Sequence, residues 1–102
     1  MLRATLHMKV KSGCDNEFVQ AWRKVAAYTS RVPGNLRQAL LQSPHDPTSF
    51  IITSDWESQE AFQQFERSET QHTITAPLRA MRESVHMEIY HLIESIEKGA
   101  IK

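Results

Sequence analysis

Residues 49–68 read SFIITSDWESQEAFQQFERS, and the rest of the chain is organised around this stretch. Its first half is apolar and ends at Trp56, which is typical of a buried strand. Ser58 then occupies the position of a helix N-cap, and Phe62 and Phe65 fall on one side of the short helix that follows. A strand that leads through a tryptophan into an aromatic-lined helix predicts one wall of a pocket.

The composition limits the kinds of protein to which such a pocket can belong. The chain has 102 residues, and its 12 lysines and arginines balance its 12 aspartates and glutamates. This length predicts one domain over residues 1–102, with its core at 2–96 and a polar tail at 97–102. The balanced charge gives no electrostatic reason to bind nucleic acid or an anionic membrane. The lone Cys14 cannot form an internal disulfide, and the N-terminal segment lacks the apolar core of a signal peptide, so we expect a cytoplasmic protein.

Three more strands are predicted from the pattern of apolar residues. The segments Leu2–Val10 and Val85–Ile93 alternate polar and apolar residues with the period of two that a half-buried strand requires. Leu36–Gln42 is a short apolar run, followed by a loop with two prolines. Because this loop is too short for a crossover helix, we expect that run to pair antiparallel with Phe50–Trp56.

Helical spacing of apolar residues after the first strand predicts a first helix, capped by Asp15 or Asn16 and ending near Arg31. The second predicted helix begins after Ser58. The segment Glu69–Ser84 has no clear period, although Pro77 can open another helical turn there.

The predicted order is therefore strand, helix, strand, strand, helix, strand. With right-handed crossovers this order predicts an α+β fold of the ferredoxin-like βαββαβ type, a four-stranded antiparallel sheet with both helices on one face. Alternation along the strands then assigns residues to a face covered by helices and to an open face. The covered face should carry Leu6, Ile52, Trp56, Ile89 and His91. The open face should carry Arg3, Thr5, His7, Lys9, His86, Glu88 and Tyr90. A polar sheet face of this kind suits either water or a second copy of the same sheet.

The element order, the chain length and the motif DWESQEAFQQFERS at residues 55–68 resemble the antibiotic biosynthesis monooxygenase family. The resemblance implies small ferredoxin-like chains that pair sheet to sheet as a dimeric α+β barrel, so we expect a homodimer. The family includes quinone-forming oxygenases of aromatic polyketide pathways, quinol monooxygenases, haem-degrading enzymes and polyketide cyclases. Because unrelated reactions share this fold, the reaction has to be argued from the site.

Individual positions of the resemblance narrow the choice. Trp56 stands where the family's tryptophan closes the third strand. The haem-degrading members have an asparagine on the first strand and a histidine on the second helix, where Leu6 and Glu66 stand here, so haem degradation is disfavoured. The quinone-forming members have an asparagine four residues before the tryptophan and a tyrosine six residues after it, and these places hold Ile52 and Phe62.

The resemblance implies a cofactor-independent monooxygenase that oxidises an aromatic polyketide-like phenol, anthrone or hydroquinone to a quinone with dioxygen. Such a reaction requires a dry aromatic cavity, a polar group that helps to remove a proton, and room for dioxygen. The alternative is a non-oxidative polyketide cyclase or a small-molecule-binding module of the same fold, which the missing asparagine and tyrosine favour. Five residues are expected to form the cavity: Leu6, Ile52, Trp56, Phe62 and Phe65.

The candidates for the proton step are His72, His91 and Arg79. An imidazole titrates near neutral pH, and a guanidinium beside an oxyanion favours an ionised phenol. Each residue also has a purely structural interpretation: His91 as a solvated residue near a strand end, His72 as part of a surface loop, and Arg79 as a solvated helix residue. We predict that Trp56, His72 and His91 are catalytic, and that Leu6, Ile52, Phe62, Phe65 and Arg79 bind substrate.

His7, His86 and Glu88 lie on neighbouring predicted strands, and two imidazoles with a carboxylate can ligate zinc or iron. We favour the alternative that they are polar residues of a dimer interface. The sequence contains no glycine-rich phosphate loop, no serine nucleophile elbow and no paired-cysteine motif. We therefore expect no organic cofactor and no metal.

Overall fold

The computed structural model describes residues 1–99. Its elements are β1 (Leu2–Val10), α1 (Asp15–Thr29), β2 (Asn35–Gln42), β3 (Ser49–Trp56), α2 (Gln59–Arg67), α3 (Glu69–Ile74), α4 (Ala76–Met81) and β4 (Arg82–His91). The strands form one antiparallel sheet in the order β2-β3-β1-β4, and the helices lie on one face of it. The predicted ferredoxin-like α+β arrangement, with β1 between β3 and β4, is confirmed.

Alternation along the strands assigns side chains to the two faces as predicted, but the prediction that the helices cover Ile89 and His91 is wrong, since Ile89 is 42% exposed and His91 is exposed at this edge of the sheet. Leu2 is opposite Trp56, and Leu6 is opposite Ile52 on β3 and Met87 on β4. The covered face holds the buried strand residues Leu2, Ala4, Met8, Val10, Phe50 and Trp56. On the other face, Arg3, Thr5, His7 and Lys9 of β1 have Tyr90, Glu88, His86 and Ser84 of β4 as their partners. We call this second side the open face.

The core consists of two clusters of buried side chains under the helices. In the first, the rings of Phe18 and Phe50 lie with their centroids 4.9 Å apart, and neither ring is exposed by more than 1%. The second cluster lies at the other end of the sheet, where Trp56 packs with Phe62 and Leu2. The aromatic pairs add to the stability that burial of their apolar area provides.

The sheet register shifts at two places, and both shifts move polar residues. In β2, Asn35 is opposite Trp56 and Arg37 is opposite Asp55, so Leu36 is an extra residue. In β4, Ser84 is opposite Lys9 and Arg82 is opposite Val10, so one residue of β4 is again extra. Such bulges redirect side chains relative to simple alternation. As a result Asn35 and Arg82 fall opposite residues of the covered face.

The helix caps agree only partly with the sequence-based expectation. Ser58 is the N-cap of α2, and its Oγ accepts a hydrogen bond from the backbone N–H of Ala61 at 3.1 Å. The predicted cap of α1 is wrong, because Asp15 is already helical and Cys14 occupies the N-cap position without a side-chain hydrogen bond. Asp15 instead contributes a negative charge to the first turn, where it interacts favourably with the helix dipole.

The segment without a clear period forms two short helices instead of one. Ser68 caps α3 by accepting a hydrogen bond from the backbone N–H of Gln71 at 3.2 Å. Pro77 lies in the first turn of α4, as expected for a residue that lacks an N–H donor. The last strand begins at Arg82, three residues earlier than the predicted start at Val85.

The chain after β4 forms no helix or strand between residues 92 and 99. Ile93 is 91% exposed there, and Glu97 makes an ion pair with Arg37 of β2 at 3.2 Å. The rest of the predicted polar tail, residues 100–102, lies outside the described residues. Within residues 1–99 no helix has both the length and the apolar character needed to cross a bilayer.

The approach of the loop before β2 to helix α2 gives a stability prediction. Gly34 has φ +91°, and a Cβ built on it would lie 2.5 Å from the Cβ of Ala61. We expect Gly34→Ala to lower the free energy of unfolding by about 2–4 kcal/mol in urea denaturation, because it adds a steric clash to the unfavourable backbone conformation.

Gly13→Ala is the matched control, since Gly13 has φ +85° with nothing within 4 Å of the added Cβ. It should cost only about 1 kcal/mol, the backbone part alone. Equal losses in the two variants would show that the contact with Ala61 does not matter.

Candidate active site

A cavity of about 230 Å³ lies between the covered face of the sheet and the helices. The strands form its floor, and α1, α2, α3 and α4 form its walls. Most of its floor is apolar, with Leu6 and Ile52 directly opposite each other on β1 and β3 and Met87 beside them on β4. A floor of this kind excludes water from a bound aromatic ring.

The aromatic part of the cavity is built on Trp56. Its indole is completely buried and packs against the rings of Phe62 and Phe65, at centroid distances of 5.7 and 4.9 Å. The indole N–H donates a hydrogen bond to Ser54 Oγ at 2.9 Å. Ser54 and Trp56 lie two residues apart on the same face of β3, so this bond links two neighbouring residues that line the cavity.

A series of hydrogen bonds on α3 and α4 fixes the polar wall of the cavity. Thr75 Oγ1 donates to the backbone carbonyl of Gln71 at 2.8 Å and accepts from Nη1 of Arg79. Nη2 of Arg79 donates to the backbone carbonyl of His72 at 2.7 Å. Gln71, Thr75 and Arg79 line the cavity one helical turn apart, and the guanidinium of Arg79 is therefore held in place at its wall.

Arg82 is the second cationic residue that lines the cavity. Burial, and then the positive charge of Arg79, lower the pKa of Arg82 from its ordinary value. A guanidinium nevertheless stays protonated at neutral pH. The polar wall of the cavity thus carries two positive charges.

Six of the predicted site residues line this one cavity: Leu6, Ile52, Trp56, Phe62, Phe65 and Arg79. The two predicted histidines do not line it. His72 is exposed and contributes its backbone carbonyl to Arg79, and His91 is an exposed residue at the end of β4, opposite Leu2. Their role in proton transfer stays a prediction from sequence.

Several residues of the cavity were not identified from the sequence. Ser54 could have been found by alternation, since it lies between Ile52 and Trp56 on the same face. Gln71 and Thr75 precede Arg79 at helical spacing, but the helices that contain them are too short to give a clear period. Other lining residues that were missed are Trp22, Gln38, Glu66 and Arg82.

The histidines of the open face form a separate polar group. The ring centroids of His7 and His86 lie 6.3 Å apart, and Nε2 of His86 lies 2.8 Å from a carboxylate oxygen of Glu88. The hydroxyl of Tyr90 donates a hydrogen bond to the same carboxylate. The two hydrogen bonds lower the pKa of Glu88, and the one from Tyr90 has the larger effect. Within residues 1–99 no group of three or more histidine, cysteine, aspartate or glutamate side chains is arranged to hold a metal ion.

Beside this group the open face carries a partly buried ion pair. Asp55 is only 4% exposed, and its two carboxylate oxygens accept hydrogen bonds from Nε and Nη2 of Arg3 at 2.7 and 2.9 Å. This bidentate contact raises the pKa of Arg3. It joins β1 to β3 directly behind Trp56.

Residues 1–76 match the family model described as antibiotic biosynthesis monooxygenase. The match covers most of the chain, and so this protein belongs to that family, as its sequence motif suggested. Family membership accounts for the ferredoxin-like fold.

Two curated proteins of Streptomyces are similar to this chain over nearly its whole length. The 42.8 kDa protein in the whiE locus of Streptomyces coelicolor is 28% identical over 98 residues, and Protein SchA of Streptomyces halstedii is 29% identical over 100 residues. The alignments cover 96% and 97% of this chain but only 25% and 26% of the relatives. The chain therefore spans about a quarter of their length.

Solved structures with the same fold include SnoaB, a cofactor-independent oxygenase from Streptomyces nogalater. It superposes with a TM-score of 0.84 at 20% identity, covering 93% of this chain and 95% of SnoaB. A protein of Nitrosomonas europaea assigned to the antibiotic biosynthesis monooxygenases has a TM-score of 0.82 at 23% identity, over 92% of this chain and all of its own. At these identities the similarity establishes the fold.

The hydrogen bond between Trp56 and Ser54 gives a second stability prediction. Ser54→Ala leaves the buried indole N–H without an acceptor, so we expect the free energy of unfolding to fall by about 1–3 kcal/mol in urea denaturation. Ser12→Ala, at an exposed serine of the turn after β1, is the matched control and should change it by no more than about 0.5 kcal/mol.

The same serine substitution made in a Trp56→Phe background should have almost no additional effect, because phenylalanine has no N–H to satisfy. An equally large loss in that background would contradict the role assigned to the hydrogen bond.

Proposed function

We propose that this protein is a cofactor-independent monooxygenase that oxidises an aromatic polyketide-like phenol, anthrone or hydroquinone to a quinone with dioxygen. The observation that carries the proposal is the combination, in one cavity, of the buried Trp56 cluster with the fixed guanidinium of Arg79. Family membership supports it, as does the same fold in SnoaB, which is described as a cofactor-independent oxygenase.

The substrate supplies all four electrons that dioxygen gains in the reaction. Loss of a proton from an anthrone leaves a carbanion, which transfers one electron to dioxygen and becomes a radical beside superoxide. The two radicals combine to a peroxide at the same carbon. The O–O bond then breaks, so that one oxygen atom remains in the quinone carbonyl and the other leaves as water with the two hydrogens of the original CH₂ group.

The protein's contribution is to orient and desolvate the substrate and to stabilise its anion. The half-buried ring of Phe65 provides a face against which a flat substrate stacks, and the buried rings of Trp56 and Phe62 support it from behind. Arg79, held by Thr75, provides hydrogen-bond donors for the oxygen that becomes negative when the proton leaves. Because the floor is apolar, this charge interaction is stronger than it would be in water.

Among the residues that line the cavity, the carboxylate of Glu66 is the group that can accept the proton from the substrate. Glu66 is exposed, so it can pass the proton on to water. His72 and His91 are the alternatives that the sequence suggested.

The reaction is tested by measuring oxygen uptake and quinone absorbance with metal-free protein and the anthrone dithranol. We expect one oxygen molecule per quinone formed, and kcat about 100-fold lower in Arg79→Gln, because the variant lacks the charged donor at the developing oxyanion. Arg23→Gln removes an equal charge from the exposed side of α1 and should keep wild-type kcat.

Oxygen uptake no faster than that of heat-denatured protein would overturn the proposed reaction. Glu66→Gln, His72→Ala and His91→Ala identify the proton acceptor in the same assay. Full activity in both histidine variants would contradict the roles predicted from the sequence.

The second candidate function is a non-oxidative cyclase or a small-molecule-binding module. It is favoured by Ile52 and Phe62, the apolar residues that line the cavity where quinone-forming relatives carry asparagine and tyrosine. Binding of dithranol without oxygen uptake would support this second candidate.

We further propose that two copies of the chain pair through their open faces. Thr5 Oγ1 on this face is buried without a hydrogen-bond partner within residues 1–99, and a facing polar side chain would satisfy it. Leu41, on the same face of β2, is 47% exposed in the single chain and would be covered by a second sheet.

The association is tested by light scattering coupled to size-exclusion chromatography. We expect a mass of about twice the 11.8 kDa of one chain, and a shift to the monomer for Thr53→Arg, which puts a charge at the centre of the open face. Gln20→Arg, on the exposed side of α1, should leave the dimer intact. A wild-type mass of 11.8 kDa at every concentration would refute the pairing.

A further inference from the structure

The β-bulge at the start of β4 directs a second arginine into the cavity. Simple alternation would put Arg82 on the open face with Ser84 and His86. The extra residue in β4 puts Arg82 opposite Val10 instead, on the covered face, where it lines the cavity beside Arg79. Bulges that redirect a side chain occur preferentially next to binding and active sites.

The two arginines of the cavity have no acidic partner in the described part of the chain. The four ion pairs within residues 1–99 have Arg3, Lys9, Arg37 and His86 as their basic partners, and neither Arg79 nor Arg82 takes part in one. Glu66 lines the same cavity, but its carboxylate is not within ion-pair distance of either guanidinium. The cavity wall therefore has an excess of positive charge.

The two guanidinium groups also differ in how many of their N–H donors are already used. Arg79 already donates to Thr75 and to the carbonyl of His72. The guanidinium of Arg82 makes no hydrogen bond to a group within residues 1–99, although the residue is half-buried. A guanidinium has five N–H donors in a planar arrangement that matches the two oxygens of a carboxylate.

We propose that Arg82 selects substrates that carry a carboxylate on the aromatic ring system, separate from the oxygen that becomes ionised in the reaction. This inference rests on the proposed function for the identity of the reacting group, which Arg79 serves. The aromatic rings of the ligand lie on the apolar floor, and its carboxylate meets Arg82 at the polar wall. The guanidinium of Arg82 is half-buried beside the like charge of Arg79, so an anionic group gains more free energy here than a neutral one.

The lowered pKa of Arg82 agrees with this arrangement. Its two causes are burial and the like charge of Arg79, and a bound carboxylate offsets both. The proposal does not depend on a change of protonation, because both arginines stay charged at neutral pH.

The test uses two ligands of the same shape that cannot react with oxygen, 2-naphthoate and its neutral analogue 2-naphthamide. Isothermal titration calorimetry at pH 7.5 should show that the wild-type protein binds the carboxylate at least about tenfold more tightly than the amide. In Arg82→Gln the ratio of the two dissociation constants should fall to about one. Arg82→Lys should keep part of the preference, because it keeps the charge but not the paired donors.

Arg23→Gln is the control for the loss of one positive charge and should keep the wild-type ratio. Equal affinities of the wild-type protein for the two ligands would overturn the proposal, whether or not the variants fold. An unchanged ratio in folded Arg82→Gln would also overturn it. Neither ligand is oxidised, so this binding test is independent of the oxygenase assay. A preference for naphthoate without oxygen uptake from dithranol would support the role of Arg82 and reject the oxygenase. Oxygen uptake from dithranol without a preference for naphthoate would support the oxygenase and reject the role of Arg82.

Discussion

Trp56 lies completely buried between the end of the sheet and the phenylalanines of α2, and this contact sets the position of everything around the cavity. Its indole needs a hydrogen-bond acceptor, which Ser54 supplies from the same strand. Helix α2 begins directly after Trp56, with Ser58 as its N-cap, and this short connection places Phe62 and Phe65 against the indole. The close approach of Gly34 to Ala61 then brings the loop before β2 against the same helix. The cavity lies beside this cluster, and Trp56, Phe62 and Phe65 form one of its sides.

Within residues 1–99, charged side chains are paired on the open face of the sheet and unpaired on the covered face. On the open face Arg3 and Asp55 satisfy each other, and Glu88 accepts hydrogen bonds from its neighbours His86 and Tyr90. On the covered face the charged groups of the cavity are not matched in this way. Stability explains the first arrangement, because paired groups lose little when water is removed. The second contributes nothing evident to folding, and so it is better explained by a ligand.

The fold could be predicted from the sequence because strand alternation and the motif around Trp56 depend on neighbouring residues only. The same reasoning found Leu6, Ile52 and the phenylalanines, since alternation or helical spacing decides which way they face. It failed for Arg82, because a bulge depends on how β4 pairs with β1 and leaves no trace in the pattern of β4 itself. It also placed His91 on the correct face of the sheet without revealing that the helices stop short of it.

Helix α3 has a consequence for the way in which a ligand reaches the cavity. It contains no buried residue, and its attachments at the cavity wall are the Ser68 cap and the bonds from Thr75 and Arg79 to its carbonyl groups. The cavity of about 230 Å³ is also smaller than the range of roughly 300–1,000 Å³ that is usual for drug-sized ligands. A polycyclic ligand would therefore need the wall to move, and local opening of α3 would break few apolar contacts, because this helix has no buried residue and only its Ile74 packs against the first core cluster. Ligand entry would then depend on local opening of α3. The backbone amides of this helix would exchange hydrogen with solvent faster than those of the sheet beneath it.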